Sequence, residues 1–141
     1  MKSFRKYRFG IVASCFNPTY VDAMLASTQK GLKGHKQKVI RVPGAYEIPL
    51  QVQRLARTKK YDAIIALGLV WHGKTAHGTE ILRAVTDALM HINLKYNVPI
   101  IHQVLSVATE AEAVARTMGS KLNRGQEAAK AALMLANLEK I

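Results

Sequence analysis

Apolar runs alternate with amphipathic stretches along the chain, and each apolar run has the length of a single strand. RFGIVASC, residues 8–15, reads as the first strand. Residues 19 to about 31 carry helical spacing and end in the region of Gly31 and Gly34. QKVIRV, residues 37–42, predicts a second strand. PGAYEIP, residues 43–49, predicts a turn that feeds a helix to about residue 58. AIIALGLV, residues 63–70, contains no polar side chain, as expected of a central parallel strand buried on both faces. Residues 79 to about 96 predict a long helix with Ile81, Val85, Leu89 and Ile92 on one face, and Pro99 follows its end. PIIHQVLS, residues 99–106, predicts the fourth strand. Residues 109–118 predict a helix with Thr109 and Glu112 at capping-box spacing, and residues 123 to about 138 predict the last helix.

The order β-α-β-α-β-α-β-α-α implies a three-layer α/β/α sandwich around a four-stranded parallel sheet. Right-handed crossovers cover both faces, and the strand order expected is flavodoxin-like. Such sheets bind ligands outside the carboxyl ends of their strands. Four loops therefore carry the candidate chemistry: residues 15–18, 43–47, 71–78 and 106–109.

A chain of 141 residues suffices for one domain with a real core, expected here to span 1–141. Hydrophobic residues make up 49% and charged residues 21%, an ordinary globular balance. The longest apolar run, AIIALGLVW, falls far short of the ~20 residues that span a membrane, so no membrane partner is expected. The basic opening MKSFRKYR lacks the apolar stretch of a signal peptide and reads as a solvated tail. Cys15 is alone, which excludes an intrachain disulfide and fits a reduced, cytoplasmic setting. It is expected as a small buried apolar residue. The net charge of +12 admits three readings: solubility, attraction of phosphorylated substrates, and nucleic acid. The basic residues are scattered without interleaved aromatics, so no nucleic-acid partner is expected.

The stretch GLVWHGKTAHGTE, residues 68–80, concentrates the chemistry. Gly73, Lys74 and Thr75 precede a predicted helix, whose N-terminal N–H groups and dipole suit an anion; a plain strand-to-helix turn is the alternative. His77 can move protons near neutral pH, or can be a surface histidine. His72, His77 and Glu80 do not match a zinc pattern, so no metal is expected. Glu47 either accepts hydrogen bonds from a polyol or amine, or places favourable charge at a helix start. Phe16 either stacks on a planar ring or packs in the core. Arg116, late in its helix, can compensate the dipole.

Assembled, these loops resemble the 6,7-dimethyl-8-ribityllumazine synthase family over nearly the whole chain. The resemblance rests on Phe16-Asn17 after the first strand and on VPGAYEIP at residues 42–49. It rests also on the pattern G-x-V-x-x-G-x-T-x-H, met as Gly68, Val70, Gly73, Thr75 and His77. Val98-Pro99, Arg116 and NRGQEAAKAALMLANL at residues 123–138 complete it. It implies an enzyme of riboflavin biosynthesis, a transferase that joins a ribityl-bearing aminopyrimidinedione to 3,4-dihydroxy-2-butanone 4-phosphate. Phosphate and water leave, and no cofactor is used. By position, Phe16 would stack on the pyrimidine, with Asn17 beside it. Ala45, Tyr46 and Glu47 would hold its edge and ribityl chain, and Leu69, Val70 and Trp71 would complete the substrate site. Lys74 and Thr75 would bind phosphate with Arg116, and His77 would be the catalytic proton shuttle. Arg116 would act in a neighbouring subunit's site, so the resemblance implies a homopentamer, and twelve pentamers can close into a 60-subunit shell.

Several positions depart from the family pattern. Lys74 replaces a small or acidic residue, and Gly78 and Thr79 replace an aromatic and an acid. Trp71 and His72 replace the common Ile and Arg. His102 replaces an aromatic that caps the pyrimidine, and an imidazole can still stack. A non-catalytic relative that binds flavin or lumazine, or serves as a shell, is the alternative.

Overall fold

A computed structural model of the chain describes residues 5–73 and 76–138. Four strands, β1 (Arg8–Ser14), β2 (Lys36–Val42), β3 (Ala63–Trp71) and β4 (Ile100–Val107), form one parallel sheet in the order β2-β1-β3-β4. Five helices accompany them: α1 (Pro18–Gly31), α2 (Ile48–Arg57), α3 (His77–Tyr96), α4 (Glu110–Met118) and α5 (Arg124–Ala136). The expected three-layer α/β/α architecture and flavodoxin-like order are therefore present.

The two faces of the sheet are sorted by the two-residue period of its strands. Phe9, Ile11, Ala13, Ile65, Leu67, Leu69, Ile101 and Leu105 pack with α1, α4 and α5. Val12, Ile64, Ala66 and Val104 pack with α2 and α3. One row runs across the sheet as Val39, Ile11, Ile65 and Ile101. β3 is paired on both edges, and residues 63–69 are all buried, which explains why this strand reads as an unbroken apolar run.

α1 and α5 lie unusually close, because the residues between them are small. A Cβ at Gly125 would come within 2.5 Å of the Met24 carbonyl oxygen, and one at Gly31 within 2.5 Å of Ala129 Cβ. Ala128, Ala129 and Ala132 are buried along the same seam. Polar groups lock it. Thr28 Oγ1 donates to the Met24 and Gly125 carbonyls at 2.9 and 3.2 Å. Asn123 accepts from Gln126 N–H at 2.9 Å and donates to the Gly119 carbonyl at 3.0 Å, so it both caps α5 and ties its entry loop.

Element ends differ from the sequence reading where side chains supply the signal. α3 begins at His77 rather than residue 79, so His77 stands in a helical first turn and not in a loop. α1 begins at Pro18, a residue suited to a first turn. A 3₁₀ turn, Ala45–Glu47, precedes α2. Asn123 is the cap of α5 and not its first residue. The capping box before α4 is formed: Thr109 Oγ1 accepts from Glu112 N–H at 3.2 Å, and Glu112 Oε2 accepts from Ala108 N–H at 3.0 Å. Two expectations are overturned. β1 stops at Ser14, and Cys15 is exposed rather than buried, because it lies past the strand's end, although its N–H still donates to the Val42 carbonyl at 2.6 Å. The basic opening is not solvated throughout: Tyr7 is buried, its hydroxyl donating to Asn137 Oδ1 at 2.8 Å and its N–H to His35 Nδ1 at 3.0 Å.

The seam yields a test. Gly125→Ala forces α1 and α5 apart, and a well-packed interior that must admit an extra methyl loses about 1–3 kcal/mol. Urea denaturation should record that loss with an unchanged m-value.

Candidate active site

Strand order reverses between β1 and β3, and the carboxyl ends of those two strands open onto a cleft of ≈ 720 Å³. That volume is ordinary for a small-molecule site. Four segments supply its wall. The loop after β1 gives Phe16 and Asn17, and the 3₁₀ turn gives Ala45, Tyr46 and Glu47 after Gly44. The end of β3 gives Leu69, Val70 and Trp71, and the first two turns of α3 give His77, Gly78, Glu80, Ile81 and Ala84.

The backbone puts Phe16 there. β1 and β2 stay together past their strand ends, with Phe16 N–H donating to the Pro43 carbonyl at 3.0 Å. The Arg41 guanidinium donates to the Ser14 carbonyl at 2.9 Å and pairs with Asp22 at 2.7 Å. The Phe16 side chain is left 70% exposed, so it is a wall of the cleft and not part of the core. Asn17 occupies the N-cap of α1 in the left-handed region, at φ 58 and ψ 54, which Asn adopts more readily than most residues. It makes no capping bond. Its amide instead donates to the Leu69 carbonyl at 2.8 Å, and its carbonyl oxygen accepts from the Trp71 indole at 3.0 Å. Tyr20 meets the indole edge-to-face at 5.8 Å. Partial burial raises the Tyr20 phenol above its ordinary value, and the neighbouring Glu110 carboxylate raises it further.

The polar groups are few. Glu47 Oε1 accepts from Gly44 N–H at 2.9 Å, so the carboxylate braces its own turn while lining the cleft. His77 stands where β3 hands over to α3, one helical turn before Glu80 and Ile81. Gly78 is buried, and a Cβ there would come within 2.2 Å of the Trp71 carbonyl oxygen. That approach accounts for the absence of a side chain where the family pattern has an aromatic. Aromatic walls with one imidazole and two carboxylates suit a planar polar ring bearing hydroxyls, with proton transfer at one end.

Other expected site residues lie apart from the cleft of their own chain. Arg116 Nη1 donates to the Ser106 carbonyl at 3.2 Å, near the carboxyl end of β4. His72 hydrogen-bonds Ser106 Oγ through Nδ1, joining the ends of β3 and β4. His102 projects from β4 toward α3. Lys74 and Thr75 lie outside the described residues. Among the described residues no group of three His, Cys, Asp or Glu side chains is placed to hold a metal ion, and no helix is long and apolar enough to cross a membrane. Gly44, Glu80 and Ala84 line the cleft but were not singled out as substrate contacts. For Glu80 and Ala84 the signal was available, since both share the helical face of His77 at i+3 and i+7.

With the geometry in place, the kinship is unambiguous. The model of the 6,7-dimethyl-8-ribityllumazine synthase family matches residues 6–140. The chain belongs to the lumazine synthase family. It is 40% identical over 136 residues to proteins named 6,7-dimethyl-8-ribityllumazine synthase from Xanthomonas euvesicatoria pv. vesicatoria and Xanthomonas oryzae pv. oryzae. It is 39% identical to the one from Stenotrophomonas maltophilia. Each comparison covers 93% of this chain and 88% of the relative.

The histidine that replaces the family's fourth-strand aromatic has a defined state. Val104 N–H donates to His102 Nδ1 at 3.1 Å, which leaves the ring proton on Nε2, 2.7 Å from Thr86 Oγ1. Desolvation lowers its pKa from the usual 6.5. Because the folded chain resists protonation here, stability is full above 6.5 and falls as pH drops from there through the lowered folded value. Unfolding measured across that window should show the loss, and His102→Phe should flatten it.

Proposed function

We propose that the chain is a single-domain 6,7-dimethyl-8-ribityllumazine synthase. In this reading it condenses 5-amino-6-(D-ribitylamino)uracil with 3,4-dihydroxy-2-butanone 4-phosphate, without a cofactor, in the cytoplasm. The observation that carries the reading is the convergence of Phe16, residues 45–47, residues 69–71 and His77 on one cleft at the switch point of the sheet. Phe16, residues 45–47 and residues 69–71 lie far apart in sequence, His77 follows the last of them closely, and each is one the family resemblance assigns to substrate.

The roles follow from the chemistry each group can supply. Phe16 offers a face to the pyrimidine ring. Backbone around residues 45 and 46 and the Glu47 carboxylate take the ring edge and ribityl hydroxyls. Lys74 and Thr75 take the phosphate, and Arg116 of an adjacent subunit adds a guanidinium fork suited to an oxyanion. The substrate's amine attacks the ketone carbon and water leaves as the imine forms; phosphate is eliminated, the enol left behind becomes a ketone, and the second nitrogen attacks that ketone and expels a second water as the ring closes. Each step moves a proton, and His77 is the group in the cleft able to exchange one near neutral pH. Holding two substrates in register supplies much of the rate. The site so described needs a ring of protomers, a homopentamer, with a 60-subunit shell as its larger form. A second reading, flavin or lumazine binding without turnover, is favoured by the changes at Lys74, Gly78, Thr79 and His102.

A steady-state assay with both substrates, following lumazine absorbance on protein sized by light scattering, separates the two. Turnover establishes the synthase; an intact oligomer that binds riboflavin and makes no lumazine establishes the binder. His77→Ala should lower kcat by about 10²–10⁴-fold and leave the oligomer intact. An unchanged kcat would remove the proton-shuttle role. Arg116→Ala should raise KM for the phosphate substrate by about tenfold or more, the worth of a charge-assisted hydrogen bond, and spare KM for the pyrimidine. Glu47→Ala should do the reverse.

A further inference from the structure

Trp71 stands where the family commonly has an aliphatic residue, and it is the only tryptophan in the chain. An aliphatic side chain there could not do what this one does. The indole is 40% exposed and lines the cleft, and its Nε1–H donates to Asn17 Oδ1 at 3.0 Å. The other end of the same amide donates to the Leu69 carbonyl at 2.8 Å. Both partners of Asn17 are thus on β3, two residues apart on the same strand. The Tyr20 ring meets the indole edge-to-face at 5.8 Å.

Three features make this unit matter for Phe16. Asn17 is its immediate neighbour in the chain. Asn17 sits in a left-handed conformation, which a non-glycine residue holds only when its surroundings compensate for the strain. And Asn17 leaves the helix without a side-chain cap, so its amide is committed wholly to β3. Phe16 itself, 70% exposed, has little packing of its own to fix its direction. The ring is aimed by the backbone, and the backbone at residue 17 is held by β3.

We infer that Trp71 is a positioning residue that latches Asn17 and thereby sets where the Phe16 ring stands at the cleft. The inference rests on the proposed synthase reading for its substrate, though the latch itself is a property of the fold. It makes the two aromatic lining residues one mechanical unit, so a planar ring is received by a cleft in which Phe16 and Trp71 are already in register.

Trp71→Phe keeps an aromatic ring at this position but removes the N–H donor together with part of the indole. It should raise KM for the pyrimidine about three- to tenfold, the span for one lost hydrogen bond, with KM for the butanone phosphate unchanged. Asn17→Ala should do the same, and the double variant should be no worse than either single one. A wild-type pyrimidine KM for Trp71→Phe, or losses that multiply in the double variant, would overturn the latch. Acrylamide quenching of the Trp71 emission gives a readout that needs no turnover. Asn17→Ala should increase quenching and shift emission to the red, and an unaltered spectrum and quenching constant would overturn the inference. Should the wild type make no lumazine, the synthase reading falls while the quenching result still decides the latch.

Discussion

β3 is an apolar strand hydrogen-bonded along both edges and covered on both faces, and this constraint shapes everything else. Its buried run from Ala63 to Leu69 has no position at which a polar side chain would be solvated. Function is therefore displaced to the strand's carboxyl end, where Val70 and Trp71 rise out of the sheet. The same end meets the reversal in strand order beside β1, so two loops diverge there and leave a cleft between them. α3 then starts within the cleft wall, and its first turns carry His77 and Glu80 back over the opening.

The two faces of the sheet divide the remaining work. On one, α1 and α5 approach closely through glycine and alanine, and this seam is why the last helix is alanine-rich. It anchors α1, whose N-cap residue is Asn17. On the other, α2 and α3 enclose the core beneath the cleft, and the 3₁₀ turn before α2 carries Tyr46 and Glu47 to its rim. Support and chemistry are thus linked through short paths: the α1 seam to Phe16, and the α3 packing to His77.

The positions that depart from the family pattern are joined in the structure. Trp71 reaches Asn17, and its carbonyl oxygen occupies the space that a side chain at residue 78 would need. His102 is held between Val104 N–H and Thr86, a neutral ring with both nitrogens engaged. His72 bridges to Ser106, whose carbonyl holds Arg116. Trp71, His72 and residue 78 thus meet at the carboxyl end of β3, while His102 stands farther back on β4, opposite Ala66.

The chain's pattern alone determined the architecture. Period-two and period-3.6 spacing record which face of each element is buried, so strand count, helix count and layer order were legible, as was the capping box at Thr109 and Glu112. The motif residues Phe16, Glu47 and His77 were legible as candidates because their types and order are distinctive. What they touch was not. Cys15 was expected inside and is exposed, and Tyr7 was expected in solvent and is buried, held there by partners more than twenty residues away in sequence, His35 and Asn137. The latch between Trp71 and Asn17 spans 54 residues and leaves no trace in either local pattern. Periodicity carries information about burial because burial repeats along an element. A hydrogen bond between two loops does not repeat, so only the tertiary fold, which sets both strand ends side by side, decides it.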